Sequence, residues 1–217
     1  MLYAAAIRLS GTSVVARNMK TYSKFPLLSL TLVLISLLAW FVVASRSDLH
    51  AFQSQRSPLL LQVGAVDGVT FESGQVWRLL TSQFLHVHFL HMLVNLASIY
   101  LVASAVERIA GRTALAIIYL IGGSAGQYFS VLLHPDLVSS GASQALMALC
   151  GFTLLAYRHF LPLRYIVYLS AAIVVVQISL DVYVSSAFKP GHSFSLLVGM
   201  AFATLFNRIT RASRDGT

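Results

Sequence analysis

The chain alternates between long uncharged stretches and short charged ones. Residues 26–45, PLLSLTLVLISLLAWFVVAS, run for 20 positions without a charge. At about 1.5 Å per residue, a helix of that length crosses a hydrocarbon core of about 30 Å. Further stretches free of Asp, Glu, Lys and Arg cover 89–106, 113–133, 143–157, 165–180 and 192–207. The pattern predicts an all-α integral membrane protein with six transmembrane helices, at about 26–45, 89–107, 113–133, 143–157, 163–180 and 192–207. The fourth and sixth are notably short. Residues 1–25 form an N-terminal segment before this 26–207 bundle, and 208–217 form a tail after it. Residues 46–88 make a 43-residue loop carrying Gly64, Gly68, Gly74, Phe71 and Trp77. Such a loop is expected to lie at the membrane interface, where amphipathic aromatic residues find both kinds of partner. No internal repeat, low-complexity tract or second domain is visible.

Composition narrows the class. The chain is 57% hydrophobic and only 10% charged, whereas soluble domains carry roughly a quarter charged residues. The net charge of +8 could suggest nucleic acid as a partner, but no basic patch interleaved with aromatics is present. Topology explains the charge better. Arg8, Arg17, Lys20, Lys24, Arg108, Arg112, Arg158, Arg164, Arg208, Arg211 and Arg214 fall on one side of six spans, eleven in all. Arg46, Arg56, Arg78 and Lys189 make four on the other. The positive-inside rule then places both termini in the cytoplasm. The apolar core at 26–45 exceeds the roughly 7–15 residues of a cleaved signal peptide, so it reads as a retained anchor. The acid-free first 47 residues also have the look of a transit peptide, and Met19 offers an alternative start before MKTYSKF. The short termini and the lack of extra domains suit a bacterial inner membrane. Cys150 is the single cysteine, which excludes a disulfide within the chain and leaves it a packing role.

Candidate chemistry is confined to the few polar residues inside the spans: His91, Asn95, Gln127, Ser143, Gln144, Gln177 and His192. Polar groups in lipid are costly, face the bundle interior and mark functional positions. Gln127 and Gln177 are read as interhelical hydrogen bonds worth about 1 kcal/mol each. For the others, depth is informative. Counting back from Arg158, Ser143 stands about 22 Å above the cytoplasmic edge, and His192 stands about 24 Å above it counted from Arg208. Asn95 and His91, counted from Arg108, come to about 20 and 25 Å. The four bracket one plane. His91 and Asn95 are four apart and share a helix face. From His192, the small residues Ser195, Gly199 and Ala203 form a stripe that permits close helix approach, with Ser143, Ala148 and Gly151 as partners on the fourth helix. Gly122 and Gly126 form a GxxxG and read as packing.

A serine hydroxyl becomes a nucleophile when a neighbouring neutral imidazole takes its proton. Asn95 and His91 can donate to the oxyanion that forms on attack at a carbonyl, with the Ser143 backbone N–H as a third donor. No Asp or Glu falls in the charge-free stretches, so a Ser143–His192 dyad is expected, without a third member. The same lack argues against a proton-coupled transporter. His86, His88 and His91 occur without HExxH or a nearby carboxylate. His86 and His88 are therefore assigned to the interface, and no metal or cofactor is expected.

These residues resemble the rhomboid intramembrane serine proteases. The resemblance covers about 75–207 plus the anchor span. It rests on QVWRLLTSQFLHVHFLHMLVNL, ERIAGR, GASQA and GHSFSLLVG occurring in that order. It implies Ser143 as nucleophile, His192 as base, His91 and Asn95 as oxyanion support, and Gly141 and Gly199 as sites of tight backbone packing. It implies a structural role for Trp77 and Arg78. The implied substrates are transmembrane helices of other membrane proteins, cut near the external face after local unwinding. Tyr165 to Lys189 would be a gate, with Phe188 and Pro190 shaping a lid. The implied surroundings are the lipid bilayer, and no particular oligomeric state is implied. The sequence departs from the family pattern at Gln144 and Ser195, where glycines are usual. Both add volume and a polar group near the expected helix contact. The alternative within the family is a proteolytically silent relative that binds client helices without cutting them.

Overall fold

The computed structural model describes residues 25–46, 54, 57–158, 163–185 and 190–215. The expectations for the anchor's upstream flank, the Met19 start and Phe188 lie outside the described residues. Apart from one isolated pairing of Val66 with Ser139, regular structure among the described residues is helical. Helix α1 spans Leu27–Ser45, and the first loop folds into short helices α2 (Ser57–Gln62), α3 (Gly68–Glu72) and α4 (Arg78–Thr81) followed by a 3-10 turn at Ser82–Phe84. Then come α5 (Phe89–Ala110), α6 (Arg112–Leu133), α7 (Ser143–Ala156), α8 (Arg164–Ser185) and α9 (Pro190–Asp215). Five of these, α1, α5, α6, α8 and α9, are long and apolar enough to cross a membrane, and α7 is a shorter apolar helix. The protein is a multi-pass integral membrane protein.

Helix α7 is the core of the bundle. Every residue from Ser143 to Thr153 is buried, so small side chains on all faces (Ala145, Ala148, Gly151) are what let the neighbours close around it. Its 14 residues span about 21 Å, short of a full bilayer core. In contrast α9 is not short. It runs for 26 residues to Asp215, carrying Arg208, Arg211 and Arg214 within a helix that was expected to end at 207. A charge ends an apolar count, but Asn, Arg, Thr and Ala continue a helix readily enough outside lipid.

Glu107, near the end of α5, caps α1 from a distance. Helix α1 has no side-chain cap of its own at Pro26, and the Glu107 carboxylate accepts from Leu28 N (3.0 Å), Ser29 N (2.8 Å) and Ser29 Oγ (2.7 Å). The two backbone donors are N–H groups that a helix start leaves without acceptors.

Arg78 organises the first loop. Its Nη1 donates to Leu61 O (2.5 Å) and Ala65 O (2.8 Å), and its Nε donates to Gln75 Oε1 (2.7 Å). The guanidinium lies 4.7 Å from the Trp77 ring centroid. Lysine cannot reproduce that planar fork. Arg78→Met leaves carbonyls without donors and should cost about 2–3 kcal/mol, read as a lowered thermal-unfolding midpoint in detergent. An unchanged midpoint would remove Arg78 from this role.

Candidate active site

The segment before α7 is held in place by the first loop. Val66 N donates to Ser139 O (3.2 Å) and Ser139 N to Val66 O (2.7 Å), while Gly68 N donates to Pro135 O (2.8 Å) and Gly141 N to Ser82 O (2.9 Å). From α6, Gln127 Nε2 donates to Gly141 O at 3.1 Å, and Gln127 Oε1 accepts from Ser139 Oγ. Gln127 was expected to bridge helices. Its main partner is instead this loop, with Gln144 Oε1 of α7 at a longer 3.4 Å. Gly141 has φ +125°, a backbone conformation that favours glycine. A side chain there would meet only Ser143 Oγ, at 3.7 Å. Chain direction, not close packing, is what this position demands of glycine. The chain then enters α7 at Ser143, whose backbone N–H is among those without an intrahelical acceptor.

His86 completes the clamp. It is buried, and its Nε2 accepts from Ala142 N at 3.3 Å. Accepting at Nε2 requires the neutral ring. Burial, followed by the nearby His91, lowers its pKa from 6.5 to about 3, against a weaker opposing effect from the Phe84 backbone. A folded-state pKa below the unfolded one gives stability that is complete above pH 6.5 and is lost as pH falls toward about 3. Thermal unfolding across that window should show a falling midpoint, and His86→Gln should flatten the dependence. Equal slopes would contradict the assignment.

Helix α9 meets α7 through the small-residue stripe. A Cβ added at Gly199 would collide with the carbonyl of Ala148, and one at Gly151 with the carbonyl of Leu196. Backbone thus lies on backbone, and the contact brings His192 to Ser143: the Oγ stands 2.7 Å from Nε2. Both side chains are buried. The two unusual residues each have a separate place. Ser195 Oγ donates to Gly122 O at 2.9 Å, and Gln144 Oε1 lies 3.2 Å from Ser143 Oγ. Gly126 supplies room for both, since a Cβ there would strike Ser195 Oγ and Gln144 Cβ.

A dyad without a carboxylate was expected from the charge-free stretches, and the structure overturns that. Asp181 lies one residue beyond the expected end of the fifth span at 180, yet α8 continues to Ser185. Asp181 is 2% exposed and its Oδ2 stands 2.7 Å from His192 Nδ1. Gln177, read as an interhelical contact, instead donates within α8 from Nε2 to Asp181 Oδ1 at 3.1 Å. The signal was available: an acid in the apolar run ISLDVYV is itself a marker of a functional position. Missing carboxylates therefore no longer speak against a transporter.

A cavity of about 150 Å³ opens onto this group, lined among others by Ser143, His192, Gln144, Gln177 and His91. That leaves room for several waters. His91 and Asn95 are brought together, Asn95 Nδ2 lying 3.1 Å from His91 Nε2. Only His91 lines the cavity, and Asn95 is buried without reaching it. Chemically, the arrangement holds a hydroxyl against an imidazole whose far nitrogen faces a carboxylate, beside a helix N-terminus.

Comparison with known proteins agrees with this architecture. The Rhomboid domain family model matches residues 73–209. RHOMBOID-like protein 7 of Arabidopsis thaliana is 36% identical over 96 residues, covering 44% of this chain and 31% of that protein. Rhomboid protease GluP of Bacillus subtilis is 30% identical over 149 residues, 67% of this chain and 29% of that protein. Inactive RHOMBOID-like protein 8 of Arabidopsis thaliana is 34% identical over 85 residues, 39% of this chain and 24% of that protein. The chain spans about a third of the length of the curated relatives it matches. With the family match extending from the first loop through α9, the chain belongs to the rhomboid family.

Proposed function

We propose that the protein is an intramembrane serine endopeptidase that hydrolyses peptide bonds in or near transmembrane segments of other membrane proteins. The observation that carries this reading is the 2.7 Å contact between Ser143 Oγ and His192 Nε2 beside a cavity that several polar side chains line. In this reading Ser143 Oγ attacks the scissile carbonyl as its proton passes to His192 Nε2, and the imidazolium then gives that proton to the leaving amine. Water enters through the cavity and releases the acyl group from Ser143 by the reverse proton path. The oxyanion is held by the Ser143 backbone N–H at the start of α7, with His91 at the cavity wall as a further donor and Asn95 supporting it through their mutual contact.

Six crossings are proposed, with α7 as the fourth, and both termini in the cytoplasm. The excess of Lys and Arg on that side, eleven against four, supports the orientation. Ser143 then lies near the external face, where a helix end entering from lipid can fray and expose its peptide bonds.

The second reading is a rhomboid-like protein that holds client helices without cutting them. It is motivated by the inactive relative and by Gln144 beside the nucleophile. Co-reconstitution of the purified protein with a single-span substrate in liposomes separates the two. The protease reading expects two fragments whose masses place the cut near the external end of the span. Retention of intact substrate, with no fragment at any time, would support the client-binding reading and overturn this one.

A further inference from the structure

We propose that Asp181 is a positioning residue for His192, so that the site works as an Asp181–His192–Ser143 relay and not as a two-residue pair. The inference rests on the protease reading above. A carboxylate in an apolar bundle is costly unless its oxygens are occupied. Here both are: Oδ2 by His192 Nδ1 at 2.7 Å and Oδ1 by Gln177 Nε2 at 3.1 Å. Among the described residues, His192 is its one ion-pair partner.

In this arrangement the carboxylate decides where the imidazole proton sits. An ionised carboxylate only accepts, so His192 Nδ1 carries the hydrogen and donates it. Nε2 is then left with its lone pair toward Ser143 Oγ, at 2.7 Å. That orientation matters because the hydroxyl has a second acceptor, Gln144 Oε1, at 3.2 Å. If Nε2 carried the hydrogen, the serine proton would turn to Gln144 and no base would face it. During attack the proton moves from Ser143 Oγ to His192 Nε2, the Nδ1–H stays where it is, and Asp181 remains ionised against the imidazolium. Gln177, one turn before Asp181 on α8, holds the carboxylate by its other oxygen.

The alternative is that Asp181 merely fastens α8 to the start of α9. Asp181→Asn separates the two, because it keeps the side-chain shape and a contact to His192 but can present an N–H to Nδ1. The positioning role expects the ring hydrogen to move to Nε2, read from ¹⁵N chemical shifts of labelled histidine. It expects kcat to fall about 10²–10⁴-fold with KM within about threefold of wild type. Cleavage by Asp181→Asn within about threefold of wild type, or a lost rate with the hydrogen still on Nδ1, would overturn it. Wild type provides a check that needs no variant: its resting His192 should be protonated at Nδ1, and finding Nε2–H there would overturn the inference as well. Failure of the wild type to cut any substrate would fall on the protease reading, while the tautomer still decides the placement by Asp181.

Discussion

Ser143→Ala should lower cleavage of a transmembrane substrate by about 10⁴-fold or more while leaving the bundle folded. The substitution removes one oxygen, the one 2.7 Å from His192 Nε2, and water held in the cavity cannot be oriented and deprotonated as well as a tethered hydroxyl. The folded state loses little. Ser143 sits at the first position of α7, where Ala142 occupies the cap and no side-chain cap bond exists. Alanine therefore deprives the helix of nothing it uses. His192 Nε2 loses its partner but faces a cavity that admits water. The unfolding midpoint should move by no more than about 1 kcal/mol in equivalent stability. A Ser143→Ala protein that still cuts at a tenth of the wild-type rate would exclude the nucleophile assignment.

Gly199→Val should have the largest effect on stability. Even one carbon at this position would run into the Ala148 carbonyl, with the Ala148 C and Cα behind it. Backbone atoms of a helix buried on every side cannot turn away as the end of a flexible side chain can. Helices α7 and α9 must separate, at a cost of about 3 kcal/mol. The consequence reaches the chemistry, since His192 is two turns earlier on the same face of α9. A displacement of about 1 Å between base and nucleophile is worth about 10²-fold in rate. Gly199→Ala should show the same two losses in smaller measure. Leu197→Ala, at an exposed position on the same helix, should change stability by about 0.5 kcal/mol or less. If Gly199→Val melts like the wild type, the close contact does not set the site's geometry.

Much of this arrangement is legible in the residues because lipid imposes simple constraints. Uncharged runs become helices, since backbone groups in lipid must pair internally. Depth counted from arginines put Ser143 and His192 at one height, and glycines at matched spacing indicated which helices lie together. What escaped reading depends on pairs that neutralise one another. Asp181 looked like the end of a span because a lone charge is costly in lipid, yet paired with His192 and Gln177 it continues inside the helix. His86 gave no sign of its partner, the backbone N–H of Ala142, 56 positions away. Glu107 as the cap of α1, 79 positions from Leu28, is the same case. No local pattern encodes such distant partners. The first loop's helices were also missed: Arg78 gathers carbonyls of α2 and the turn after it from 17 and 13 positions away, and α3 starts from a capping box between Asp67 and Thr70, a local signal too short to show as periodicity.

In the proposed function Ser143 is an activated nucleophile and His192 activates it. Intact-protein mass after exposure to a fluorophosphonate tests it most directly, since the reagent adds covalently only to a hydroxyl whose proton is being removed. Wild type should carry one adduct, mapped by peptide analysis to Ser143, and Ser143→Ala and His192→Ala should carry none. Unlabelled wild type, or equal labelling of the His192→Ala protein, would contradict it.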